Sequence, residues 1–410
     1  MSGLAWAGLG LVLVGAWAGT PGLLLVGSLG LLVEGSRAVW ARFGLGGLEY
    51  ERHLATDRAV CGDVIALDLT VRNRKALPLA WLRAVDLVSD GVTVRERDTV
   101  PTERAGQLAL ANAWSLAGFE RVVRHYHVLA NRRGVYALGP VRLTVSDVFA
   151  RSAASRELPG RARYLVRPRM VSLRMADAPR AWLGPQPARR GLLEQSQLFA
   201  GIRPYQPGDP LRSVHWPSTA RTGRPQVKRY DPALQHEVLI ALDIATPASD
   251  LAVGSFDDDL VEGLCVAAAS LARHLLADEV ACGLAVAAFT GVVRRFAYLP
   301  PGSGPRQLGR LGDLLARLSS VPSAPFEELL SGLPTVLRPG ATVLVLSSRD
   351  PTRRLATERR LGRLGFAVQH VAFGPRAAEA ARRARSAGVA AFVARLEPDW
   401  QTGEALEVAG

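Results

Sequence analysis

Asp243 closes the apolar run "EVLIALD". A carboxylate at the end of a buried strand can hold a divalent cation, move a proton or cap a loop. Ser347 and Ser348 close a second apolar run, "ATVLVLSS", and Asp350 follows them. Asp257, Asp258 and Asp259 stand in a row where a helix should begin. Acids there suit the helix dipole and capping, and a relocated cation site is the rival explanation. His125 and His127 flank Tyr126 and would share one face of a strand. Metal sites use that geometry, but no third ligand is apparent, and two histidines on the wet face of a sheet are the better explanation.

The densest constellation lies in residues 191–231, centred on "GIRPYQPGDPLRSVHWPSTARTGRPQVKRYD". Its four prolines from Pro204 to Pro217 forbid a long helix. Arg203, Tyr205, Asp209, Arg212, His215, Trp216 and Arg221 crowd around a Gly-Asp-Pro turn. Arg, Tyr and Trp dominate binding hot spots, so these residues are candidates for partner recognition. The plainer explanation is a clasp, with Asp209 paired to Arg203 or Arg212 and Trp216 packing the loop onto the following domain. Ser213 and His215 stand two apart, with no nucleophile elbow or oxyanion hole, which argues against acyl transfer. The chain has no GxxxxGK[ST] loop and is not itself a nucleotide hydrolase of that type.

Three kinds of element must position these residues. Residues 1–33 carry no charge, and Gly19-Thr20-Pro21-Gly22 breaks them. This predicts a transmembrane hairpin within residues 1–44, with spans near 4–18 and 21–43. Arg37, Arg42 and Arg52 follow the second span, so the positive-inside bias places both termini and both globular domains in the cytoplasm. Ala16-Trp17-Ala18 resembles a signal cleavage site, but the apolar run continues past it and no basic residue precedes it. Residues 45–170 alternate apolar and polar positions, as in "VIALDLTV", with turn formers between the runs. That pattern predicts an antiparallel β-sandwich-like domain. A signature linker at 171–236 follows. In residues 237–410 apolar strands alternate with amphipathic helices, predicting an α/β domain with a doubly wound, mostly parallel sheet. Asp243, Ser347 and Ser348 then fall at strand ends, where such sheets bind ligands.

The 410 residues carry a net charge of +13, nearly all of it arginine. Such a balance suits anionic lipid or acidic partners, and no nucleic-acid module is evident. Cys61, Cys265 and Cys282 form no CxxC pair, and read as reduced thiols rather than a disulfide framework.

"RPYQPGDPLRSVHW" with the strand ending in Asp243, together with "LTVRNRKALPLAWLR" and "RRGVYALGPVRLTVSDVF", resembles the MoxR-associated membrane family, domain of unknown function fifty-eight. The resemblance implies two N-terminal spans, a C-terminal von Willebrand A-like domain and a MoxR-type AAA+ ATPase as partner. The expected role is that of a non-enzymatic adaptor in assembling or remodelling complexes. The alternatives are a divalent-metal enzyme using Asp243 with Asp257, Asp258 and Asp259, and an envelope structural protein. A von Willebrand A domain usually binds Mg²⁺ through Asp-x-Ser-x-Ser. Here Ala245 and Pro247 occupy the two serine positions, Thr246 and Ser249 are out of register, and Ser303 lies near the expected threonine loop. A weak or absent metal site is therefore expected at Asp243, with no required cofactor.

Overall fold

The structure, a computed structural model, describes residues 3–147, 153–175, 199–206, 214–230, 237–247, 257–291 and 295–410. The chain divides into two compact units, Met1–Arg167 and Pro168–Gly410.

The first unit opens with helices α1 (Gly3–Ala18) and α2 (Pro21–Phe43), with Pro21 in the first turn of α2. The helices pack closely because glycines line their seam. A Cβ on Gly27 would lie 2.7 Å from Val12, and one on Gly15 would lie 2.9 Å from Leu23. Small residues of this kind let apolar helices approach through their backbones. Helix α2 is long and apolar enough to cross a membrane, and only 6% of its most apolar window is buried within the protein.

The strands of this unit are β1 (Leu48–Leu54), β2 (Arg58–Val60), β3 (Val64–Asn73), β4 (Leu79–Ser89), β5 (Thr93–Val94), β6 (Val100–Pro101), β7 (Gln107–Leu116), β8 (Arg121–Leu129), β9 (Gly134–Ser146), β10 (Ala153–Leu158) and β11 (Ala162–Arg167). They form one sheet in the order β1-β3-β8-β5 and another in the order β2-β11-β9-β4-β7-β6, with β10 paired to β9. All pairings are antiparallel except β2 with β11. Period two places Ile65, Leu67, Leu69 and Val71 of β3 inside, so one side of each sheet makes the core.

The second unit contains β12 (Ser172–Met175), β13 (Phe199–Pro204), α3 (Trp216–Thr222), β14 (Gln226–Tyr230), β15 (Glu237–Asp243), α4 (Asp258–Ala277), β16 (Ala281–Val286), β17 (Ala297–Gly302), α5 (Pro305–Arg317), α6 (Phe326–Gly332), β18 (Thr342–Ser347), α7 (Leu355–Arg363), β19 (Ala367–Phe373), α8 (Ala377–Ser386), β20 (Ala390–Leu396) and β21 (Ala405–Ala409). The large sheet runs β12-β21-β20-β19-β18-β15-β16-β17 and is mostly parallel. Strand β12, within the stretch read as linker, pairs in parallel with β21 and forms one edge of this sheet. Alternate residues of β15 feed separate cores. Val238, Ile240 and Leu242 face α4 and α5, while Leu239 and Ala241 face the core built with α6 and α7. Both faces are covered, which is why β15, β16 and β18 read as unbroken apolar runs. Helix α4 is also long and apolar enough to span a membrane, but 72% of its window is buried here as core.

Candidate functional site

Asp243 and Ser347 lie opposite one another in register at the ends of β15 and β18. Parallel strands end at a common level, so the two side chains meet. Ser347 Oγ donates to Asp243 Oδ2 at 2.9 Å, and the Ala245 backbone N–H donates to Oδ1 at 3.2 Å. The pair is closed from above by Arg354, in the turn leading into α7. Its backbone N–H bonds to Pro351 O, which fixes the turn. The Arg354 side chain is 2% exposed. Its Nη1 donates to Asp243 Oδ2 at 3.4 Å, Nε to Glu358 Oε1 at 3.1 Å, and Nη2 to Arg349 O at 2.9 Å. Nη2 also stands 3.4 Å from His370 Nε2. A guanidinium only donates, so His370 accepts there and carries its proton on Nδ1. A second arginine, Arg349, holds Nη1 3.9 Å from Asp243.

Burial sets the protonation of this cluster. It pushes the Asp243 carboxyl up, against the opposing pull of Arg354, Arg349 and the Ser347 hydroxyl. Glu358 is pushed up to about 7 by burial, with Arg354 opposing and Asp243 adding to the rise. His370 is driven down to about 3 by burial and by the charge of Arg354. At neutral pH the histidine is therefore uncharged, and the cations beside the acids are Arg354, which contacts both, and Arg349 near Asp243.

The cation site implied by the resemblance does not fit these residues. Both oxygens of Asp243 already accept hydrogen bonds from Ser347, Ala245 and Arg354. Ala245 offers only backbone at the first serine position, and Pro247 offers no oxygen donor on its side chain. Among the described residues no three His, Cys, Asp or Glu side chains come together as a metal group. Two of the acids proposed for a relocated site have other partners. Asp257 caps α4 by accepting from Leu260 N at 3.0 Å, and Asp259 accepts from Trp400 Nε1 at 3.3 Å. Ser249 lies outside the described residues. Beside the cluster a cleft of about 350 Å³ opens, lined in part by Asp243, Ala245, Phe326 and Arg349. Among the described residues, Arg349 is the cation on its wall, with its side chain 14% exposed.

The signature segment builds a smaller assembly. Strands β13 and β14 pair antiparallel, with Arg203 opposite Val227, and Val214 bridges to Val227. His215 caps α3, taking the Ser218 backbone N–H on Nδ1 at 3.2 Å. Gly223, at φ +67°, ends that helix in the left-handed conformation. Arg203 is half-buried and donates to Pro204 O, Tyr205 N–H bonds Pro225 O, and Arg221 is exposed. Trp216 is 67% exposed, which removes it from the packing role that a clasp would require. Asp209 and Arg212 lie outside the described residues. In the sandwich, His125 pairs with Asp68 and His127 with Glu96, so each histidine has its own carboxylate rather than a shared ion.

The sequence reading missed Arg349, Arg354, Glu358 and His370. His370 was detectable as a polar intruder in the buried run "AVQHVAF". The three cysteines are buried, and burial pushes the Cys282 thiol up to about 12, which makes it a poor nucleophile.

A family profile described as "Protein of unknown function DUF58" matches residues 201–348. That span covers most of the signature segment and strands β15 to β18 of the large sheet. The uncharacterized protein YeaD of Bacillus subtilis is 21% identical over 249 residues, covering 60% of this chain and 57% of its own length. The chain therefore spans little more than half of that relative. Among solved structures, the CARDB domain of a Pyrococcus furiosus protein in complex with di-metal ions is 15% identical, with a TM-score of 0.20. The match covers 29% of this chain and 86% of that one. The sporulation control protein Spo0M of Bacillus subtilis is 12% identical with a TM-score of 0.19, covering 30% of this chain and 50% of that one. Overlaps of this size define no common fold.

Proposed function

We propose that this protein is a non-enzymatic, membrane-anchored adaptor whose α/β unit, von Willebrand A-like, docks an acidic side chain of a cytoplasmic partner without a metal ion. One observation carries this reading: Asp243, the carboxylate from which a cation site was expected, is paired instead with the guanidinium of Arg354. Arg354 neutralises Asp243 from inside, and Arg349 presents positive charge to the cleft. In an adhesion-type site, the metal's open position receives a partner carboxylate. An arginine can receive the same group through its planar fork. The apolar helix α2 supports anchoring, and the arginines that follow it support a cytoplasmic orientation. The resemblance supports a MoxR-type AAA+ ATPase as the partner.

The test is co-purification from detergent extracts, with bound proteins identified by mass spectrometry. The expected outcome is an AAA+ ATPase that stays bound in EDTA and is lost from Arg349→Ala, while Arg104→Ala retains it. Loss on EDTA, or full binding by a folded Arg349→Ala protein, would overturn the reading. An Arg203→Ala variant tests the signature segment separately. Loss of binding there alone would move the contact from the cleft to strand β13.

A further inference from the structure

Phe119 combines two costs that the fold does not repay. It is a non-glycine residue at φ +60°, and it is 70% exposed. Left-handed backbone crowds a Cβ, and an exposed phenyl ring gains nothing from water. An outlier of this kind points to a contact outside the protein.

Its position suggests what the contact is. The Phe119 backbone N–H bonds Lys75 O, and a Cβ at Gly118 would lie 2.5 Å from Ala76 O, so the two loops are pressed together. The loop of Lys75 is in turn fastened to the base of α2. Lys75 Nζ donates to Gly44 O at 2.5 Å and Gly46 O at 2.6 Å, and Trp40 Nε1 donates to Pro78 O at 3.1 Å. This loop therefore reaches down beside α2 to within one turn of Arg37. Around the same rim, Phe43 is 54% exposed and Trp81 58% exposed. Exposed rings beside the charged end of a spanning helix are the composition of a membrane–water interface.

We infer that the base of the sandwich is a lipid-contact surface, with Phe119 inserted at the headgroup level of the bilayer that α2 crosses. This inference rests on the membrane-anchored reading. It goes further by placing a loop of the sandwich itself in the interface.

Because the native cysteines are buried, a single introduced cysteine can carry a nitroxide label in the full chain. The probes are Phe119→Cys, Leu29→Cys in α2 and Arg104→Cys on an exposed loop. Each is reconstituted into phosphatidylcholine–phosphatidylglycerol vesicles and exposed to oxygen or to a water-soluble nickel chelate. The expected result is a lipid-like ratio of oxygen to nickel accessibility at 119, shifted toward that of position 29 and away from that of position 104. A water-like ratio at 119 with a lipid-like ratio at 29 overturns the inference and leaves the anchor standing. Water-like ratios at both positions overturn the anchor and the inference together.

Discussion

The two units each bury an arginine against an aspartate, and the pairs differ in what holds them. In the sandwich, Arg52 of β1 reaches across the core to Asp86 of β4, with Nε 2.6 Å from Oδ1. The Tyr50 hydroxyl donates to the other oxygen of that carboxylate. Both partners sit in the middle of strands, and Arg52 continues to Gly160 O at 3.1 Å. In the α/β unit, Arg354 comes from a turn and Asp243 from a strand end, with a cleft beside them. Similar chemistry thus ties two sheets together in one place and, in the other, joins a strand end to a helix-leading turn beside a cleft. Burial raises both aspartates, and the nearby arginine pulls each back. The electrostatics therefore do not tell clasp from site; placement relative to strand ends and open volume does.

Removing Arg354 should produce the largest effect. Arg354→Met leaves Glu358 buried without a cation and Asp243 with only the more distant Arg349, which should cost about 3–5 kcal/mol. Hydrogen exchange of β15 and β18 would read the loss locally. A change under about 1 kcal/mol would show that the cluster is hydrated and the comparison mistaken. Asp86→Ala should cost less, about 2–3 kcal/mol, because Arg52 keeps the Gly160 carbonyl. Exchange from β1 and β4 would measure it, and a cost equal to that at Arg354 would erase the distinction between the pairs.

The third test is one of pH. His370 has a folded pKa of about 3, below its unfolded value of 6.5, so the unfolded chain binds its proton first. Its contribution is fully present above pH 6.5 and is lost as pH falls toward 3. Glu358 has a folded pKa of about 7, above 4.5, so stability is lost as pH rises from 4.5 to 7. The two slopes oppose each other between pH 4.5 and 6.5, and below pH 4.5 the histidine slope remains. His370→Gln should therefore flatten the fall in α/β-unit melting temperature below pH 4.5. An unchanged slope would place His370 outside the titrating cluster. The smallest effect is expected from Tyr50→Phe, which removes one hydrogen bond to Asp86 and should cost about 1 kcal/mol by denaturant unfolding. A cost near that of Asp86→Ala would make the tyrosine, rather than Arg52, the main partner.

Much of the fold was legible because burial imposes periodicity. Helix α2 and strands β3, β8 and β15 lie where the apolar patterns place them. Strand β7 carries a weaker local signal, because "QLALANAWSL" is rich in Leu and Ala and lacks β-branched residues. Helix α6 and strand β21 were too short to show a period. At the site, Asp243 and Ser347 were legible because each closes an apolar run. Arg354 was not: a helix-leading arginine in an arginine-rich chain carries no local mark of burial. Glu358 lies one helical turn along α7 and looks like an ordinary surface pair, while His370 meets Arg354 only once α7 packs against β19. The capping role of His215 was likewise hidden, because a residue that starts a helix after a proline-rich loop looks like any other polar residue there.

The pairing of Ser172–Met175 with Ala405–Ala409 bears on the order of synthesis. The ribosome makes strand β12 first, and its hydrogen-bonding partner emerges only after nearly all of the other α/β elements. Until then that edge has no mate, while α2, made earlier, can already sit in lipid. Deletion of residues 405–409 should therefore expose the β12 edge to proteases.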